Sequence, residues 1–241
     1  MSSIGNFFYL ILYQPLFNIL VLLCKYLPWH DLGFAIIILT ILIKLALYPL
    51  ASKAIKSQKA LAKIQPRIKE IQEKYKNNKE AQGREMLAVY KQEKINPFSG
   101  LAVLLIQLPI LIALYRLFWK GIGPDQMNNL YGFISFSGQV NLNFLGFLNL
   151  GGPNWGIALV AGLLQYWQAK MLMPKKTQQK KSDFSEQMQK QMAIFMPGFT
   201  FILLLSLPSA LGLYWITTTL FTIIQQYSVL RANKNKELPS M

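Results

Sequence analysis

Apolar residues fall along this chain in long unbroken runs, not in the short alternations of a water-soluble domain. Five runs come close to the roughly 20 residues that a helix needs to cross a hydrocarbon core. They are Leu32 to Leu50, Gly100 to Trp119, Trp155 to Met173, Met192 to Leu207, and Ser209 to Leu230. The fourth is short and Pro208 divides it from the fifth, so these two read as a helical hairpin with a tight turn. Lipid offers no water to backbone N–H and C=O groups, which leaves a helix bundle as the predicted architecture. The expected fold is an all-α membrane protein with spans in segments 32–50, 99–120, 154–173, 191–207 and 208–230.

The segment 51–98 has a different period. Ile64, Ile68, Ile71 and Tyr75 recur at helical spacing with charged residues between them, Asn77-Asn78 gives a turn signal, and Arg84 to Glu93 sets Met86, Leu87 and Tyr90 near one face. These patterns predict an amphipathic helical hairpin. Segment 1–31 is harder to read. Ile4 to Leu23 is apolar enough to span, but Gln14, Pro15 and Asn18 interrupt it, and no Lys or Arg precedes it as in a signal peptide. An uncleaved helix along the outer interface is expected, with a sixth span as the alternative.

Composition agrees with a membrane class: 53% of residues are apolar and only 15% charged. Charge placement adds orientation. Segment 51–98 carries twelve Lys and Arg against five Glu, the connection 174–190 carries five Lys, and the tail 231–241 adds Arg231, Lys234 and Lys236. Segment 121–153 has no basic residue and only Asp125. Loops rich in Lys and Arg stay inside, so the hairpin and the C-terminus are expected in the cytoplasm and 121–153 outside.

Lys44 is the one residue that the pattern does not absorb, a cation within an otherwise apolar run. On the lenient insertion scale such a charge costs about 2.5–3.5 kcal/mol, so it needs a partner, water or a function. It lies nine residues before Lys53, which along a continuous helix is roughly 13 Å. Thr40 and Tyr48 stand one turn away on either side. Snorkelling of its long stem to the inner interface is the plainer alternative. Gln107 is a second costly group, an amide mid-span beside Pro109, whose ring frees the carbonyl of Leu105 and favours a kink.

A series of short motifs then gives a resemblance. Tyr13-Gln-Pro-Leu-Phe17, Tyr48-Pro-Leu50, Gln65-Pro66, Asn96-Pro97, Ile106-Gln-Leu-Pro-Ile110 with Ala113-Leu-Tyr115, Phe195-Met-Pro197, and Leu207-Pro-Ser209 through Leu213-Tyr214 to Ile223-Ile-Gln-Gln226 resemble the YidC family of membrane insertases. The order and spacing match from about residue 13 to residue 230.

The resemblance implies a five-helix core around a hydrophilic groove, open to cytoplasm and lipid and closed outside. It implies a groove cation at Lys44, where bacterial members usually carry Arg, and groove positions at Gln107, Tyr214, Trp215, Thr218 and Thr219, to which helical spacing adds Thr40, one turn from Lys44. It also implies an apolar slide for the client from the second and fourth core helices. Leu104, Leu108, Leu111, Phe195, Phe199 and Ile202 are the candidates, and they read equally well as lipid-facing side chains. The implied function is insertion and folding of newly made membrane proteins, alone or with the Sec translocon, in a bacterial inner membrane. Nascent membrane proteins, ribosome, targeting receptor, translocon and the lipid bilayer are the implied partners, with no cofactor, small-molecule substrate or specific nucleic acid sequence.

The residues speak against other classes. No span contains Asp or Glu, which a coupled transporter would bring, so a small transporter or channel is only the alternative. His30 is the sole histidine and Cys24 the sole cysteine, which excludes a disulfide framework and leaves no nucleophile-base or metal set for catalysis.

Overall fold

The computed structural model describes residues 3–96, 98–136, 139–173 and 184–237. Along them run helices α1 (Ser3–Phe8), α2 (Gln14–Tyr26), α3 (Leu32–Ala46), α4 (Tyr48–Lys74), α5 (Lys79–Gln92), α6 (Ser99–Lys120), α7 (Trp155–Leu172), α8 (Phe184–Leu204) and α9 (Ser209–Glu237). A π-helical turn, Tyr9–Tyr13, carries α1 into α2. The chain is mostly helical. Gly5–Tyr26 and Leu101–Lys120 are long and apolar enough to cross a membrane, and α3 with α4 adds a third if that bent pair counts as one span.

The first core helix ends sooner than its apolar run. Asp31 starts it by accepting from the N–H groups of Gly33 at 2.7 Å and Phe34 at 3.3 Å. It closes at Ala46, not at Leu50, and α4 leaves at 68°. Pro49, in the first turn of α4, explains the break. It has no N–H for the carbonyl of Leu45, and its ring collides with that carbonyl. The bend is held from α9: Gln225 Nε2 donates to the Tyr48 carbonyl and to Ser52 Oγ, both at 3.0 Å. The Tyr48 ring stands edge-on to Phe221.

The hairpin expected in 51–98 is formed by α4 and α5, turning at Asn77-Asn78. Asn78 Oδ1 caps α5 by accepting from the Ala81 N–H at 3.0 Å, so α5 begins at Lys79, ahead of the apolar stretch that marks it in sequence. Helix α4 buries Ala54, Ile55 and Ile68 and α5 buries Val89, and Arg67 of α4 reaches Gln92 at 3.0 Å and Glu93 at 3.7 Å. Pro66 lies within α4 without ending it.

Two other helices outrun their apolar segments, because the flanking residues are polar helix formers free of Gly and Pro. The fourth core helix starts at Phe184, before the expected 191, and α9 runs on to Glu237 through most of the expected tail. Residues 174–183 of the expected connection, 238–241 of the tail, and Pro97 lie outside the described residues.

Segment 121–153 contains a β ribbon that the sequence pattern does not predict, since strands of two residues leave no alternation to read. Its strands are β1 (Asn143–Phe144) and β2 (Leu148–Asn149), antiparallel. The ribbon closes one end of the bundle. The Phe144 ring lies so close to Gly33 that a Cβ there would fall 2.1 Å from Phe144 Cδ2. The Leu150 carbonyl accepts from Ala210 N at 3.1 Å, and the Gly152 carbonyl accepts from Ser209 N at 2.8 Å and Ser209 Oγ at 2.6 Å, which caps α9.

The same segment receives the N-terminal helix. Gln14 and Asn18, which interrupt its apolar run, are its polar contacts: Gln14 Nε2 donates to the Asn129 carbonyl at 3.2 Å. Asn18 Nδ2 donates to the same carbonyl at 3.0 Å, and its Oδ1 accepts from Tyr131 N at 2.7 Å. Tyr9 donates to Asn129 Oδ1 at 2.6 Å. On the apolar side Phe17, Leu20, Val21 and Cys24 are wholly buried.

Close helix packing fixes α7 against α9 at Gly212, where a Cβ would lie 2.3 Å from Ile157 Cγ2. Gly212→Val is expected to destabilise the protein by about 1–3 kcal/mol through overpacking. Gly83→Ala in α5, where nothing lies within 4 Å, should be neutral or slightly stabilising. Thermal unfolding of the detergent-solubilised chain, read by intrinsic fluorescence, separates the two.

Candidate functional site

Three helices of the bundle, α3, α6 and α7, are packed at one end only. On α3 the buried residues run from Leu32 to Thr40, and none follows to Ala46. On α7 they are Ala158, Ala161 and Gly162, and none follows to Leu172. Helix α6 runs the other way and shows the reverse: Ile110, Ala113, Leu114, Leu117 and Phe118 are buried, whereas no described side chain from Ser99 to Pro109 is. All three buried halves face the β-ribbon end. Toward the hairpin the same helices lie open.

Polar groups gather where the packing stops. Tyr214, 2% exposed, lies in hydrogen-bond contact with the Gln107 amide, which joins α9 to α6 at the floor of the packed half. Beyond that level four side chains have no partner among the described residues. Thr218 Oγ1 and Gln226 Oε1 on α9 and Gln165 Oε1 on α7 are buried atoms without a hydrogen bond, and the half-buried Lys44 forms no ion pair among the described residues.

Helix register sets Thr218, Gln165 and Lys44 at one height, with Gln226 about two turns further along α9. The approach of Ile157 to Gly212 fixes α7 on α9, so Gln165 stands level with about Leu220. The Tyr48 contacts with Phe221 and Gln225 fix α3 on α9, so Lys44, one turn earlier, stands level with about Thr219. Three polar groups on three helices thus share a layer about one turn deep. Buried polar atoms in native proteins are almost always satisfied, so this layer requires water or a polar ligand.

The remaining predicted positions divide by their hydrogen bonds. Thr40 is 1% exposed and its hydroxyl donates to the Ile36 carbonyl at 2.6 Å. Thr219 is also buried and donates to the Trp215 carbonyl at 2.8 Å. Both are satisfied within their own helices, as intrahelical hydroxyls commonly are. Trp215 is partly buried against the apolar core. The straight-axis distance for Lys44 no longer applies, because α3 ends at Ala46 and Lys44 sits in its last turn. Gln165 was open to the reasoning that singles out Gln107, a mid-span amide, but it lies in none of the motifs that carry the resemblance. Pro109 lies within an unbroken α6.

The model of the family described as 60Kd inner membrane protein matches residues 24–237, nearly the whole chain. The chain belongs to this family. It is similar to the membrane protein insertase YidC of three Francisella tularensis subspecies: novicida strain U112, holarctica strain LVS and tularensis strain SCHU S4. Each is 35% identical over 199 residues, which cover 83% of this chain. The chain spans 32% of the length of these curated relatives.

In this member of the 60Kd inner membrane protein family, the apolar candidates fall on two helices, α6 and α8. Leu104, Leu108, Phe195, Phe199 and Ile202 are exposed and Leu111 is half-buried. Phe195 and Phe199 stack with ring centroids 6.3 Å apart. Helix α8 packs mainly on α7, and α6 mainly on α4.

A double-mutant cycle of Gln107→Leu and Tyr214→Phe tests the junction between the two halves. Hydrogen bonds between membrane helices average about 0.6 kcal/mol and reach about 1.7 kcal/mol, and a coupling in that range is expected from unfolding in detergent. Additive losses would show that the two side chains do not interact.

Proposed function

We propose that this chain is a membrane protein insertase that aids the insertion and folding of newly made integral membrane proteins in a bacterial inner membrane, alone or beside the Sec translocon. The observation that carries the reading is the half-packed bundle, sealed at the β-ribbon end and open with unpartnered polar groups toward the hairpin. The YidC names of the relatives support the same activity.

The proposed topology has five spans: α3 to its bend, α6, α7, the apolar part of α8, and α9. The basic hairpin and C-terminus face the cytoplasm, and segment 121–153 faces outside. In this arrangement α1 and α2 lie along the outer rim. Phe8 sits beneath the Arg116 guanidinium at 5.5 Å, near the outer end of α6, and Tyr9, Gln14 and Asn18 all reach segment 124–131. A helix crossing from Tyr26 inward would carry Phe8 about 27 Å from that rim.

Lys44, Gln165 and Thr218 form the polar layer of a wet hollow open to the cytoplasm. An extended client segment bearing acidic residues enters it, and the Lys44 ammonium attracts those residues partway across. Unit charges about 5 Å apart at an effective dielectric near 20 attract by roughly 3 kcal/mol. Apolar parts of the client then leave water along Leu104, Leu108, Leu111, Phe195, Phe199 and Ile202, gaining about 25 cal/mol for each Å² buried. Gln107, Tyr214 and Trp215 form the floor, while Thr40 and Thr219 shape the helix faces behind it. Ribosome, targeting receptor and translocon are proposed to engage the α4–α5 hairpin.

Lys44→Arg is expected to retain insertion, because charge and reach are kept. Lys44→Ala or Lys44→Glu should slow insertion of a single-span client with an acidic outer segment by on the order of tenfold, about 1.4 kcal/mol, and leave a client with a neutral segment unaffected. Reconstituted liposomes with protease protection provide the measurement. Normal insertion of the acidic client by Lys44→Ala would remove Lys44 from the mechanism.

A further inference from the structure

A second hollow lies away from the bundle, at the junction of α5 with α6. It has a volume of about 350 Å³ and is lined by the apolar side chains of Leu87, Tyr90, Ile95 and Phe98 together with Lys91 and Lys94. Leu87 is 55% exposed and Phe98 68%, although both are large and apolar. No acidic side chain lines the hollow, and Glu93 beside it is turned to Arg67 of α4. The chain between Tyr90 and Ile95 is tied back on itself, since Lys94 N donates to the Lys91 carbonyl at 3.1 Å and Ile95 N to the Tyr90 carbonyl at 2.9 Å. Lys94 takes a left-handed conformation, φ 54°, to make that return.

We propose that this hollow binds the headgroup of an anionic phospholipid of the inner leaflet. Phe98 precedes by three residues the apolar stretch of α6 that starts at Leu101, so along the axis the hollow stands about 5 Å from the hydrocarbon edge. At that depth a phosphodiester meets Lys91 and Lys94, and Leu87 and Phe98 reach the upper acyl chains. A phospholipid offers both an anionic group for the lysines and acyl chains for the apolar side chains, whereas a free anion offers only the first. A lipid held here would anchor the hairpin base and set where α6 enters the bilayer.

The inference rests on the inward-facing hairpin proposed above, and nanodiscs, which expose both leaflets, test the site whichever way the chain is oriented and without reference to insertion. The full chain with Cys24→Ala and Ala88→Cys carries a bimane on the exposed residue 88, beside the hollow. Brominated phosphatidylglycerol in a phosphatidylcholine disc should quench it with an apparent affinity about tenfold to thirtyfold above that of brominated phosphatidylcholine. Lys91→Gln with Lys94→Gln should abolish the difference, and Lys91→Arg with Lys94→Arg should keep it. Equal quenching by the two lipids, or a preference unchanged in the Gln pair, would overturn the proposal. So would displacement of phosphatidylglycerol by an RNA oligonucleotide, which would assign the hollow to nucleic acid.

Discussion

Buried polar atoms need partners, and within a bilayer only the protein or trapped water can supply them. This constraint governs both halves of the bundle. At the β-ribbon end it is met internally: Asp31 caps α3, the Gly152 and Leu150 carbonyls cap the start of α9, Asn18 joins the N-terminal helix to the segment before α7, and Tyr214 answers Gln107. At the hairpin end Thr218, Gln165 and Gln226 go unanswered among the described residues, where α3, α6 and α7 bury no further side chains.

The bend after Ala46 links this half-open bundle to the hairpin. Pro49 breaks the helix one turn beyond Lys44, and Gln225 holds the break against α9. The same local chemistry therefore shortens α3, sets Lys44 in its last turn and fixes the angle at which the basic hairpin departs.

Much of this was legible in the sequence, and the gaps have physical causes. Hydropathy located the core helices, because transfer free energy accumulates over a long run, and the hairpin followed from Ile64, Ile68 and Ile71 with the turn at Asn77-Asn78. Helices α8 and α9 extend past the apolar spans because helix formation does not require apolarity: polar residues beyond Met192 and Leu230 continue the same helices. The β ribbon is too short to leave a period. In the site, Gln107 and Tyr214 were named and are joined. The hydroxyls of Thr40 and Thr219 turn back on their own helices, which no residue spacing reveals. Gln165 was missed, although its mid-span amide gives the same signal as that of Gln107.

The central claim is that the inner half of the bundle is wet and the outer half dry. Single cysteines introduced in a Cys24→Ala chain at positions 44, 165 and 218, and at the buried positions 36, 113 and 158, can be tested with a membrane-impermeant thiol reagent on inside-out vesicles. The account predicts rapid modification of the first three and none of the second. Protection of all six, with positions 44, 165 and 218 as unreactive as the packed core, would contradict it.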